Sequence, residues 1–229
     1  MEQGALGYAC GVLCGRGFIR RGRNNCVGIQ TSSRRLAEEF SSSLRGLIGY
    51  EILPKAKTIS GKEYFTVNAY GKNVVGIFDA IDFRPTRRGW SPPRLTEENR
   101  EFRLGFLAGF FDATSFVYFN REKFYASGGG YRYVRVTSVN PNGLAGIRKL
   151  LGIEGVECAF RTRRGLAYLV LRGRWRLDAF MEKVALRTEK KISLEQAAAA
   201  SGSQLVRYNK SQYAARNNIG RVMDSQVNT

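Results

Sequence analysis

With 229 residues, 43% of them hydrophobic and 12% aromatic, the chain has material for one large core or two small ones, which excludes a disordered polypeptide. Lysine and arginine number 37 against 19 acids, a net charge of +18, and this excess points to nucleic acid, because each phosphate neutralised releases condensed counterions. Histidine is absent, which excludes Ser-His and Cys-His nucleophilic chemistry within the chain.

The first apolar stretch, LGYACGVLCGRGF (6–18), places Gly7, Gly11 and Gly15 four residues apart. Glycine costs roughly 1 kcal/mol per helical site relative to alanine, so a helix carrying three of them has a use for one smooth face. No basic region precedes this stretch, which argues against a secretory signal, and no run of ~18 apolar residues argues for a membrane. The expectation is a cytoplasm-like, reducing compartment, an organelle included. Cys10, Cys14, Cys26 and Cys158 form no CxxC pair and read as small, buried, reduced side chains.

Strand-like GFIRRGRNNCVGIQT (17–31) follows, then SSRRLAEEFSSSLRGLIG (32–49), a helical pattern opened by a serine cap. YEILPKAKTISGKEYFTVNAY (50–70) reads as a hairpin around Ser60 and Gly61, and KNVVGIFDAIDF (72–83) as a short helix. RPTRRGWSPPRLTEE (84–98), with three of the five prolines and four arginines, reads as a linker too stiff and polar for the core. Next, LGFLAGFFDATSFV (104–117) repeats the opening pattern: Gly105, Gly109 and Ala113 lie 98 residues after Gly7, Gly11 and Gly15. Small residues four apart let a second helix backbone approach closely, so the two helices are expected to be each other's partners.

The second half repeats the outline. FVYFNREKFYASGGGYRYVRVTSV (116–139) is expected to turn through Gly128–Gly130, PNGLAGIRKLLG (141–152) to be helical, and VECAFRTRRGLAYLVLRG (156–173) to turn near Arg164 and Gly165. RWRLDAFMEKVAL (174–186) closes the half as a helix, and the chain from about residue 190 reads as a polar helix broken near Gly202, with a loose tail. The expected fold is α+β: two pseudo-symmetric αββαββα halves over 1–83 and 99–190, a linker at 84–98 and a C-terminal region at 191–229.

Alternation along the strands sorts their faces. In YRYVRVTS, Arg132, Val134 and Val136 face the core, Arg132 near its edge, while Tyr131, Tyr133, Arg135 and Thr137 face outward. In EYFTVNAY, Phe65, Val67 and Ala69 face inward, and Tyr64, Thr66, Asn68 and Tyr70 outward. Arg20, Arg21, Arg23, Asn24 and Gln30 in the first half, with Arg161, Arg163, Arg164, Arg172 and Arg174 in the second, complete the candidate nucleic-acid contacts. Arginine can pair with guanine, and Asn or Gln with adenine, although phosphate contact is the commoner use of any single arginine.

These residues resemble the LAGLIDADG homing endonucleases in their single-chain, two-repeat form. FLAGFFDATSF matches the motif through Leu107, Ala108, Gly109, Phe110, Phe111 and Asp112; the degenerate ACGVLCGRGF keeps Gly11, Leu13, Gly15 and Gly17. The resemblance covers residues 5 to about 190. It implies that the motif helices pack centrally, that each half adds a curved four-stranded antiparallel sheet, and that both sheets form a saddle on the major groove. It also implies a monomer in which the halves form an internal pseudo-dimer. In the family the sixth motif position, Cys14 and Asp112 here, is structural, and the eighth is an acid that binds a divalent metal. Arg16 and Thr114 stand at the eighth position, so no catalytic residue and no cofactor is expected, Mg²⁺ entering only for an active nuclease. The implied function is nucleic-acid binding without metal-dependent cleavage, on structured RNA in a maturase-like or ribonucleoprotein setting, or on DNA. The alternative is an active DNA endonuclease with atypical ligands, for which Glu51, Glu63, Asp79 and Asp82 are spare acids.

Overall fold

The computed structural model describes residues 2–86, 89–124 and 130–199. Helix α1 (Gln3–Arg16) leads into strands β1 (Gly17–Arg20) and β2 (Cys26–Thr31), helix α2 (Arg34–Ile48), strands β3 (Lys55–Ile59) and β4 (Lys62–Tyr70), and helix α3 (Lys72–Asp79). A short helical turn, α4 (Leu95–Glu98), precedes the second pass: α5 (Arg100–Thr114), β5 (Phe116–Phe124), β6 (Gly130–Ser138), α6 (Pro141–Ile153), β7 (Ala159–Arg163), β8 (Leu166–Arg172) and α7 (Arg174–Lys183). Helix α8 (Glu189–Ala199) ends the described chain. The sheets are antiparallel, in the matching orders β1-β2-β4-β3 and β5-β6-β8-β7. The α+β architecture with two like halves is therefore as the residues indicate.

Helices α1 and α5 pack against each other at the centre. A helix is buried all round only when it is apolar all round, and Ala5 to Cys14 are buried without interruption. The glycines set the distance between the two. A methyl group at Gly7 would strike the Phe102 carbonyl, at Gly11 that of Phe106, at Gly105 that of Gly4, and at Gly109 that of Tyr8. Gly15 faces the side chains of Ala113 and Thr114. Each helix thus lays its small residues on the other's backbone.

Each sheet packs one face on helices, α1, α2 and α3 in the first half and α5, α6 and α7 in the second. Phe65, Val67 and Ala69 of β4, and Val134 and Val136 of β6, are buried on those faces. Two-residue turns close the hairpins β3–β4 and β7–β8, with Ser60 and Gly61 at φ 50° and 73° and Arg164 and Gly165 at 51° and 75°. Positive φ at both central residues is the type I′ geometry that suits strand twist, and glycine adopts it without a Cβ penalty. Of the turn expected at Gly128–Gly130, Gly130 begins β6; Gly128 and Gly129, like the break near Gly202 and the tail, lie outside the described residues.

The linker expectation needs correcting. Trp90 is 7% exposed, its ring is 5.1 Å from that of Phe110, and its carbonyl accepts from the Asn140 side chain at 2.6 Å. Thr96 is buried, and its carbonyl accepts from Arg103, which is itself paired with Glu154 at 2.7 Å. Proline-rich chain can line a core when its few apolar side chains plug the gap between two helices. Arg132, expected near the edge of the core face, is 7% exposed. Burial holds its pKa below the usual guanidinium value, opposed by nearby Asp178. Among the cysteines, Cys10, Cys14 and Cys26 are buried and Cys158 is half-buried, its thiol pushed up to about 11 by burial.

The helix contact predicts opposite outcomes for like substitutions. Gly11→Ala sets a methyl against fixed backbone and is expected to cost about 2 kcal/mol or more. Gly152→Ala lies in α6 with open space at its Cβ and is expected to add roughly 0.5–1 kcal/mol. Urea unfolding of both variants checks this; similar midpoints would show that α1 and α5 can slide apart without loss.

Candidate nucleic-acid interface

At their C-terminal ends α1 and α5 converge, and each helix there presents carbonyls without an intrahelical partner and a negative dipole end. Arg16 Nε donates to the Ala113 carbonyl at 3.1 Å. Lys190 Nζ, from the start of α8, donates to the carbonyls of Asp112 at 2.6 Å and Phe111 at 3.1 Å. The Thr114 hydroxyl is turned back to the Phe110 carbonyl at 2.6 Å. Two cationic side chains therefore complete the end of α5. Burial pushes the Lys190 ammonium down to about 8; Asp112 opposes this and Arg16 adds to it.

Asp112, at the sixth motif position, works inside the fold. Its carboxylate accepts from Tyr8 Oη at 3.0 Å, the Arg187 and Thr188 amides at 2.9 and 3.3 Å, and the Thr188 hydroxyl at 2.6 Å. Desolvation by burial, with Asp112 beside it, raises the Tyr8 phenol far above its ordinary value, so it stays a donor. Arg187 lies over the Tyr8 ring, 4.3 Å from its centroid. One carboxylate thus ties α1, α5 and the segment entering α8, which is what carries Lys190 to the helix ends.

This donor set does not fit a divalent cation. Mg²⁺ and Mn²⁺ ask for several oxygen ligands, carboxylates above all, and the eighth motif positions offer a guanidinium and one neutral hydroxyl, beside an ammonium. The spare acids do not assemble elsewhere: Asp79 is held by Arg21 at 2.7 Å and Asp82 by Arg84 at 3.1 Å. Among the described residues no three His, Cys, Asp or Glu side chains come together.

The sheet faces turned away from the helices gather most of the other candidates. On the first sheet the register puts Gln30, Thr66 and Lys55 in one cross-strand row, Tyr64 beside Lys57, and Phe18, Gly28 and Asn68 in another. Arg20 lies over the Phe18 ring at 4.7 Å, while Arg23 and Asn24 are exposed in the β1–β2 turn. Arg21 is different: besides Asp79 it donates to the Phe83 carbonyl at 3.0 Å, fastening the turn to the end of α3 rather than facing outward with the strand residues.

On the second sheet the rows are Tyr118, Tyr133 and Arg172; Phe116, Arg135, Val170 and Ala159; Thr137, Tyr168 and Arg161. Arg163 extends this face along β7 and Arg164 sits at the hairpin tip. Arg174 lies off the sheet, at the first turn of α7, with Asp178 at 3.5 Å. The side chain of Tyr131, expected to face outward, lies outside the described residues. Sequence reasoning missed Phe116, Tyr118, Tyr168, Lys55 and Lys57, although the same period-two alternation in FVYFN, LAYLVLR and KAKTI marks them. Lys190 carried no such signal, because it acts 78 residues from the carbonyl it meets.

No protein-family model matches the chain, and no curated protein matches its sequence at a significant level. Solved structures do match. Mesophilic variants of the homing endonuclease I-DmoI superpose with a TM-score of 0.56 at 15% identity over 85% of this chain and 98% of theirs. Full-length DUF199/WhiA from Thermatoga maritima gives 0.60 at 12% identity, over 98% of this chain and 69% of its own. I-DmoI in complex with DNA and Mn gives 0.52 at 15% identity, over 80% and 97%. At such identities the likeness shows the fold, a LAGLIDADG-like one.

The buried ammonium predicts a pH dependence of known sign. Lys190 binds its proton less tightly when folded than in an unfolded chain, where lysine titrates near 10.5. Between pH 8 and 10.5 the unfolded state therefore takes up the extra proton, and the stability contributed here rises with pH. Cys10 and Cys14, whose thiols burial raises, work in the opposite direction but are common to wild type and Lys190→Met. Wild type is expected to gain on that variant by up to about 3 kcal/mol from pH 7.5 to 10.5, read by denaturant unfolding. A constant gap would mean that the ammonium is solvated.

Proposed function

We propose that this chain uses its LAGLIDADG-like fold as a nucleic-acid-binding platform from which metal-dependent cleavage has been lost. The observation that carries the reading is the occupation of the α5 carbonyls by Arg16 and Lys190. A nuclease of this architecture would need carboxylates there to hold the cation that stabilises the attacking and leaving oxygens. A guanidinium and an ammonium supply positive charge to the helix ends directly, and neither can ligate a metal in that state.

The binding half of the reading is supported by charge and by the neighbours. The two outer faces carry lysines, arginines and amide side chains in cross-strand rows, a spacing suited to phosphates and base edges. I-DmoI holds DNA in its solved complexes. Contacts assigned to this chain are Arg20, Arg23, Asn24, Gln30, Tyr64 and Asn68 from the first half, and Tyr133, Arg135, Arg161, Arg163, Arg164 and Arg172 from the second. Arg21 and Arg174 are set apart by their internal ion pairs. The target is DNA or structured RNA, and the fold serves as a monomer, alone or within a ribonucleoprotein.

Two measurements test this. Incubation with Mg²⁺ or Mn²⁺ and a library of long duplexes is expected to leave every duplex intact; breaks at one defined site would establish the active endonuclease instead. Affinity for nucleic acid is expected to fall about a thousand-fold between about 50 and 200 mM salt, as about six phosphate contacts require, and a flat response would remove the phosphate-dominated interface.

Restoring the missing oxygens gives a third test. Arg16→Asp with Thr114→Asp still leaves Lys190 over the α5 carbonyls, so Mg²⁺ binding by calorimetry is expected only when Lys190→Ala is added. Binding by the double variant would show that Lys190 does not guard the site.

A further inference from the structure

We propose that the outer face of the second sheet is a stacking site for unpaired nucleobases, so that the chain prefers nucleic acid interrupted by a bulge, loop or single strand over a continuous duplex. This rests on the nucleic-acid-binding reading and adds to it the class of target. The face holds a cleft of about 480 Å³ whose walls include Tyr118, Tyr133 and Arg135. Its depth has a simple origin: Ala159 and Val170 are register partners, and these two short side chains lie in the row between Arg172 on one side and Tyr168 with Arg161 on the other.

Tyr118 and Tyr133 make part of the wall aromatic, and Phe116 lies next to them. The Tyr118 and Tyr133 rings stack at 5.1 Å with 18° between their planes, and Phe116, 52% exposed, stands 6.4 Å from Tyr118. The Arg135 guanidinium lies 5.8 Å from the Phe116 centroid and 6.0 Å from that of Tyr133, near two rings at once. Arg161 and Arg172 also line the cleft and add cationic charge for the flanking phosphates. A continuous duplex presents base edges and phosphates, and its base faces are hidden in the stack; a file of aromatic rings therefore meets its counterpart only where a base has left the helix.

The first half shows that this cleft is not simply a property of the fold. The row equivalent to Phe116, Arg135 and Val170 is Phe18, Gly28 and Asn68, 98 residues separating the two phenylalanines. There a Cβ on Gly28 would strike both the Asn68 amide and the Phe18 ring, so these two side chains close over the glycine and fill the place. Beyond it lie Lys55 and Lys57, which suit a phosphate backbone. The halves thus divide the task, one holding the backbone and the other taking the base.

The test compares a continuous duplex, the same duplex with a short adenine bulge, and the single strand, each as DNA and as RNA. The bulged form or the single strand is expected to bind about ten-fold or more tighter than the continuous duplex, and 2-aminopurine placed in the bulge is expected to lose fluorescence on binding. Phe116→Leu with Tyr118→Leu, and separately Val170→Met, which fills the cleft without adding a ring, are each expected to abolish the difference in affinity between the forms. Preference for interrupted DNA, interrupted RNA or both supports the proposal, and the two arms identify the sugar. Equal binding of all forms by wild type, or a preference that survives both variants, overturns it while leaving nucleic-acid binding intact. Absence of salt-dependent binding to any form overturns the underlying reading as well.

Discussion

The close approach of α1 and α5 is the constraint on which the rest depends. Four glycines put methyl-sized space exactly nowhere in the contact, since any Cβ at Gly7, Gly11, Gly105 or Gly109 would meet backbone of the facing helix. Interiors at crystal-like density are barely compressible, so this contact fixes the halves in one relation. Side chains at the rims, such as Phe110 and Phe111 with Trp90 and Phe180, then fill the wedges left around the two helices.

Bringing two helix C-termini together also concentrates unpaired carbonyls and two negative dipole ends in one place. Such a place asks for positive charge. The LAGLIDADG nuclease pattern answers with carboxylates that bind a cation, whereas this chain answers with Arg16 and Lys190. The second solution needs the segment after α7 to be tied down, and Asp112 does so through the Arg187 and Thr188 amides. Arg16 and Lys190 therefore answer one electrostatic demand of the helix ends from two distant positions in the chain.

The outer faces diverge more than the framework beneath them. Strand order and the β3–β4 and β7–β8 turns agree between halves, yet one face closes over Gly28 and the other opens above Ala159 and Val170. Inward positions are fixed by packing against helices, and outward positions are free to follow whatever they touch. Two sheets of one design can in this way present a polar, lysine-bearing surface and an aromatic, arginine-bearing one.

The sequence by itself determined the elements, the pairing of the two helices and the sorting of most strand residues into faces, because each of these has a short period: four for the small residues, two for the strands, and a 98-residue repeat to confirm both. It also located Arg16 and Thr114 at the motif positions where acids are expected. Only the tertiary structure decided that Trp90 and Thr96 belong to the core, that Arg21 and Arg174 are held by acids of their own half, and that Tyr118 and Tyr133 meet Arg135 in one cleft with Phe116 beside them. Lys190 is the clearest case. Its partners lie 78 and 79 residues away, and no local pattern encodes a contact that exists only once Asp112 has anchored the chain between α7 and α8.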